Sequence, residues 1–122
     1  ILEINREDFS GLTSLDVLSL SNNRIYHISQ NLTIPSLRSL NLDNNKVKYL
    51  DPCLQAGLPN LVAGGLHASN NPWLCSCDMA WINGTVKLND DQYKCNSRIN
   101  FDYPLSAFFY EDCYDVSVDC TL

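Results

Sequence analysis

The chain has 122 residues and a formal net charge of −6, with 45% hydrophobic and 18% charged residues. That fits one domain and excludes a disordered or collagen-like chain. The 8 Lys and Arg are scattered, which excludes a nonspecific grip on nucleic acid, and no apolar run reaches the roughly 20 residues of a membrane span.

The chain opens on Ile1-Leu2-Glu3-Ile4-Asn5-Arg6-Glu7-Asp8, with none of the features of a signal peptide. Ile1, Ile4, Phe9 and Leu12 fall where the back half of a coil places its apolar residues. Then the pattern L-x-x-L-x-L-x-x-N-x-I reads through Leu15, Leu18, Leu20, Asn23 and Ile25. It returns 22 residues later through Leu37, Leu40, Leu42, Asn45 and Val47. Leu18 and Leu20 alternate along a short strand, so both point inward while Val17, Ser19 and Ser21 point outward. Asn23 and Asn45 stand where the strand ends, and their amides can satisfy backbone groups of neighbouring coils. Each coil buries its leucines only against its neighbours, which makes the array a solenoid. The pattern resembles the leucine-rich repeat over residues 1–73.

The third coil is irregular. Leu50, Leu58 and Leu61 lead to Asn71-Pro72-Trp73, which places Leu66 and Ala68 on the strand; counting from Leu61 places Ser69 at the Asn position instead. A bulge at Ala63-Gly64-Gly65 is expected to absorb the two-residue difference.

From residue 71 the grammar changes to Asn71-Pro72-Trp73-Leu74-Cys75-Ser76-Cys77, then Met79, Trp81 and Ile82, then Cys95 and Cys113. This resembles the cysteine-rich C-terminal cap of extracellular leucine-rich repeat proteins, a family that includes Toll-like receptors and Slit proteins. The resemblance implies an α/β solenoid: a horseshoe fragment with short parallel strands (1–70), a disulfide-bonded cap (71–113) and a tail (114–122). It also implies the bonds Cys75–Cys95 and Cys77–Cys113. Parity suggests Cys53–Cys120, tying the tail back, with a free or intermolecular thiol as the alternative. A short helix over 78–86 is expected to pack Met79, Trp81 and Ile82 on the last coil, and both tryptophans are expected in the core. Six Cys and the sequons Asn31-Leu32-Thr33 and Asn83-Gly84-Thr85 point to an oxidising, extracellular setting. A zinc site at Cys75 and Cys77 has the wrong spacing.

No nucleophile–base set is visible, so no enzyme and no cofactor or metal is expected. His27 and His67 read as solvent-facing or locally hydrogen-bonded, not catalytic. Gly64-Gly65 lacks the rest of a phosphate loop, and the acidic pairs Asp90-Asp91 and Glu111-Asp112 lack calcium-loop spacing. The candidate concave binding face comprises Ser19, Ser21, Arg38, Asn41, Asp43 and His67, with Ser69 extending the column in the Asn71 register. It has no aromatic anchor of the kind that makes a hot spot. Tyr110 and Tyr114 form a second candidate patch, for a partner chain. The chain is expected to be the C-terminal piece of a longer ectodomain, non-catalytic, of Toll-like receptor type. It would bind a protein or microbial ligand or a co-receptor, or dimerise, with any membrane attachment supplied by an anchor elsewhere in the parent. A secreted Slit-type adhesion or guidance protein and a purely structural cap are the alternatives. The edge formed by residues 1–12 is expected to be sticky, prone to self-association or to pairing with an N-terminal fragment.

Overall fold

The computed structural model describes residues 2–62, 64–74, 76–84, 86, 92–96 and 103–113. Among them run strands β1 (Glu3–Ile4), β2 (Val17–Ser19), β3 (His27–Ile28) and β4 (Ser39–Asn41), helix α1 (Leu54–Gly57) and strand β5 (Leu66–His67). A 3-10 helix (Cys77–Gly84) and helix α2 (Leu105–Asp112) follow. The strands form two parallel sheets, β2-β4-β5 on one face and β1-β3 on the other. Leu18 faces Leu40 and Leu40 faces Leu66 in the first, so like positions of successive coils stack. Glu3 faces His27 and Ile4 faces Ile28 in the second.

Between the sheets lies one core. Leu40, Leu42, Leu66 and Ala68 enter it from the front, Ile4, Ile25, Ile28, Val47 and Leu50 from the back, and Leu32, Ile34, Leu37, Leu54 and Leu58 from the connecting side. Burial deepens along the array. Leu18 is only half-buried, whereas its partners Leu40 and Leu66 are 4% and 2% exposed. Leu2 and Leu12 of the first coil stay exposed, because no earlier coil covers them within the described residues, whereas Val17 is exposed because it points outward from β2.

The turns after the strands repeat one device. Asn22, Asn44 and Asn70 all take left-handed backbone angles, φ between 56° and 59°, which Asn tolerates better than most residues. The next residue in each case is the ladder asparagine. Asn45 Oδ1 accepts the Ile25 N–H at 3.1 Å, and its Nδ2 donates to the carbonyls of Leu20, Leu42 and Asp43. Asn71 repeats this one coil later, accepting from Val47 N–H and donating to Leu42, Ala68 and Ser69. Asn23 donates only to Leu20 and Ser21 of its own coil.

Asn71 therefore holds the ladder position, and the alternative register through Ser69 is excluded; Ser69 is buried and cannot extend the outward column. At the expected bulge, Val62 N–H donates to Arg38 O and Gly65 O accepts from Leu40 N–H, while Gly65 N–H closes on Val62 O at 2.8 Å with Gly64 at φ 76°; Ala63 lies outside the described residues. Gly57 meets a different demand: a Cβ there would collide with the Leu32 carbonyl of the preceding coil, so only glycine lets the coils close up.

The expected short helix is of 3-10 type and spans Cys77–Gly84 rather than 78–86. With three residues per turn, Met79 and Ile82 stand on one edge, and both are completely buried. Trp81 is half-buried and its indole N–H donates to Leu50 O at 3.1 Å, joining cap to solenoid. Trp73 is fully enclosed, and its Nε1 is buried without a hydrogen-bond partner among the described residues. The segment 92–96 straps the last coil to α2. Asn70 N–H donates to Gln92 O, Asn96 N–H to Trp73 O, and Leu105 N–H to Tyr93 O. Cys77 and Cys113 are bonded, with Cα atoms 5.4 Å apart; closing a loop of that length is worth at most about 4 kcal/mol in the chain-entropy account. Cys53 and Cys95 are disulfide-bonded as well, while Cys75, Cys120 and the tail 114–122 lie outside the described residues. Helix α2 follows Pro104 and buries Leu105, Phe108 and Phe109.

The ladder and the strap give two predictions. Asn45→Ala orphans buried groups in two coils and lowers stability by about 2–3 kcal/mol, against about 1 kcal/mol for Asn23→Ala. Urea unfolding followed by circular dichroism measures both, and equal losses would deny the ladder any special weight. The Tyr93 hydroxyl accepts the buried Ala68 N–H at 2.9 Å. Burial holds this phenol above the ordinary 10.0, opposed in part by that N–H and assisted by the charge of Asp43. A folded value above the unfolded one means its stabilising contribution is whole below pH 10.0 and fades as pH climbs through the folded value. Tyr93→Phe costs about 1–2 kcal/mol at neutral pH. It also flattens, without abolishing, the alkaline fall in melting temperature, because Tyr26 and Tyr49 are raised too.

Candidate functional site

The parallel register builds the concave strip directly. Ser19, Asn41 and His67 lie side by side across β2, β4 and β5. Ser21 and Asp43 follow at the next outward positions, and Arg38 stands beside Asp16 just before the strands. Ser19, Ser21, Asn41, Asp43 and His67 therefore occupy the outward positions of one face, while Arg38 lies at its margin, ahead of β4.

Their chemistry is unequal. Asn41 Oδ1 accepts the Asp43 N–H at 2.9 Å, and Asp43 Oδ1 accepts the Ser69 N–H at 2.7 Å. Those two side chains brace the turns, leaving the Asn41 amide nitrogen and one Asp43 oxygen for a partner. The Ser19 and Ser21 hydroxyls lie 3.4 Å apart. Arg38 and Asp16 approach to 3.9 Å with side chains 66% and 64% exposed, a pairing worth very little in water. Exposed Arg38 and exposed His67 are thus the freest polar groups on the strip, with exposed Val17 and Val62 flanking Arg38.

The other patch is thinner. Tyr110 projects from α2, 82% exposed, whereas Tyr114 lies outside the described residues. Of the cap aromatics, Phe108 and Phe109 are core and Tyr103 is half-buried; Phe101 lies outside the described residues.

The opposite face carries aromatic residues that pattern reading passed over. Tyr26 is exposed and donates to Glu3 Oε1 at 2.7 Å, and that bond with a carboxylate raises its pKa. Tyr49 is half-buried and donates to Asp78 Oδ2 at 3.4 Å; desolvation, then the charges of Asp51 and Asp78, raise its pKa. With His27, Lys48 and Asp51 they line a groove of about 420 Å³. The signal was there to be read: Tyr26 directly follows Ile25 and Tyr49 lies two after Val47, so each flanks a buried back-face position.

Of the sequons, Asn31 is half-buried in the turn after β3, and Asn83 is exposed on the 3-10 helix. Among the described residues no cluster of three or more His, Cys, Asp or Glu could hold a metal ion. No described helix is long and apolar enough to cross a membrane.

A leucine-rich repeat family model matches residues 1–47. Trophoblast glycoprotein of Macaca fascicularis is 35% identical over 103 residues, 77% of this chain and 24% of that protein. Its Mus musculus counterpart is 33% identical over 97 residues, 73% of this chain and 22% of that protein. The chain thus spans about a quarter of the length of these relatives. Among solved structures, human 5T4 (Wnt-activated inhibitory factor 1, trophoblast glycoprotein) superposes with a TM-score of 0.64 at 31% identity, over 87% of this chain and 40% of that one. Stacked parallel strands, an asparagine ladder and these matches agree: the chain is a leucine-rich repeat protein with homology to trophoblast glycoprotein.

Proposed function

We propose that the chain is a non-catalytic, extracellular recognition module of a cell-surface protein of the trophoblast glycoprotein type, and that its concave strip receives a protein partner. The observation that carries this reading is the 35% identity to trophoblast glycoprotein over 77% of the chain. The matched relatives favour this type over a Toll-like receptor of innate immunity or a Slit-type secreted protein. The human neighbour is described as Wnt-activated inhibitory factor 1. Carried to this chain, that makes its partner a component of a Wnt-type signal at the cell surface. The same reading pairs Cys75 with Cys95 and Cys53 with Cys120, supported by the bonded state of Cys53 and Cys95.

A purely structural role is the second reading. It is favoured by a strip without an aromatic anchor, two of whose polar residues already brace turns.

One experiment separates them. The purified chain is added to cells carrying a Wnt-responsive reporter, and surface binding is measured in parallel. The recognition reading expects saturable binding and a graded fall in signal. The Arg38→Ala, His67→Ala double variant should weaken both about tenfold while melting within a few degrees of the parent. A folded chain that neither binds nor alters the signal supports the structural role instead.

A further inference from the structure

The turn after β3 carries Asn31-Leu32-Thr33, with Leu32 buried at 1% exposure and Thr33 open to solvent. The Ser29 hydroxyl donates to Asn31 Oδ1, and the Thr33 hydroxyl donates to the Asn31 carbonyl at 3.0 Å. These bonds hold the residue while leaving its amide nitrogen without a hydrogen bond among the described residues. Asn31 forms one wall of a hollow of about 320 Å³, which Arg6, Gln30, Thr33, Ala56 and Gly57 also line. Close packing of Gly57 on the Leu32 carbonyl holds α1 against the turn that carries Asn31. The side chains of Arg6 and Gln30 make no hydrogen bond or ion pair among the described residues, so both present free donors. The Ala56 methyl and the disulfide-bonded Cys53 supply a small apolar wall. Free donors beside a methyl-sized apolar surface suit an N-acetylated sugar, and the volume admits a single ring.

We infer that Asn31 carries an N-linked glycan and that its first N-acetylglucosamine seats in this hollow against Arg6, Gln30 and Ala56. The inference rests on the extracellular reading above. In the attachment step Asn31 Nδ2 bonds to C1 of the sugar on a polyprenyl diphosphate-linked oligosaccharide. The C1–O bond to the diphosphate breaks, the polyprenyl diphosphate departs, and one amide proton passes to base; nothing is oxidised or reduced. The seated ring then adds side-chain contacts between the turn after β3, α1 and the first coil, beside the backbone bonds Ile34 N–H to Gly57 O and Ser29 N–H to Ile4 O that already join them.

The test uses the chain secreted from a glycosylating host in an Asn83→Gln background, so that Asn31 is the remaining sequon. Mass spectrometry reads occupancy. The folded glycoprotein is then trimmed either with an endoglycosidase that leaves one N-acetylglucosamine or with an amidase that removes the whole glycan and converts the attachment residue to a carboxylate. The single-sugar form should melt with the untrimmed protein. The amidase product and Asn31→Gln, which lacks the new charge, should both melt about 2–4 °C lower. Arg6→Ala should erase at least half of the gap between its own single-sugar and amidase forms. An unoccupied Asn31, equal melting of the two trimmed forms, or a gap untouched by Arg6→Ala overturns the inference. A secreted, fully disulfide-bonded chain with a bare Asn31 removes this inference alone, whereas reduced cysteines in the secreted chain remove the extracellular reading beneath it.

Discussion

The structure depends on how buried backbone groups are satisfied where each strand ends. A coil that turns inside a packed array leaves carbonyls and N–H groups away from water, and each one unmet costs as much as a lost hydrogen bond. A side chain with one acceptor and two donors at a fixed height answers this in every coil. Asn45 joins two coils at once, bonding to Ile25 and Leu20 of the preceding coil and to Leu42 and Asp43 of its own. A leucine there would leave the carbonyls orphaned, and an aspartate would supply no donor. The left-handed residue immediately before, Asn22, Asn44 or Asn70, turns the chain so that the ladder amide points into the stack.

Everything else follows from stacking. Because each coil is covered only by its neighbours, apolar burial deepens from the first coil inward, and the last needs a lid. The lid is tied to the coils by indole to carbonyl at Trp81 and by phenol to amide at Tyr93, and is braced within itself by backbone bridges at Trp73 and Lys94 and by the Cys77–Cys113 bond. The exposed Leu2 and Leu12 of the first coil mark the edge where this mutual covering stops within the described residues.

Recognition and architecture draw on the same side chains. Asn41 and Asp43 face outward yet spend their acceptors on turns, so the concave strip offers a partner fewer free groups than its composition suggests. The tighter chemistry lies on the back face, where Tyr26 and Tyr49 hold carboxylates, and beside the Asn31 turn, where Arg6 and Gln30 are unspent. A glycan rooted in that turn leaves the concave face open to protein.

The solenoid and the front-face register of the first two coils were legible in the residue pattern. They rest on periodicity and local spacing, which need no knowledge of distant contacts, whereas the cystine-stapled lid was what the resemblance of residues 71–113 to a known cap implied. The third coil stayed ambiguous between Ser69 and Asn71, because two glycines could host either a bulge or a turn; hydrogen bonds to Leu42 and Val47, residues of another coil, resolve it. Helix α2 carried a readable signal, Pro104 ahead of Leu105, Phe108 and Phe109 at helical spacing, but aromatics in a cap read equally as irregular core. The β1–β3 sheet, the Tyr26 and Tyr49 groove and the hollow at Asn31 exist only in the folded chain. Their residues are far apart along the sequence and share no period, and they meet only after the leucines have stacked the coils.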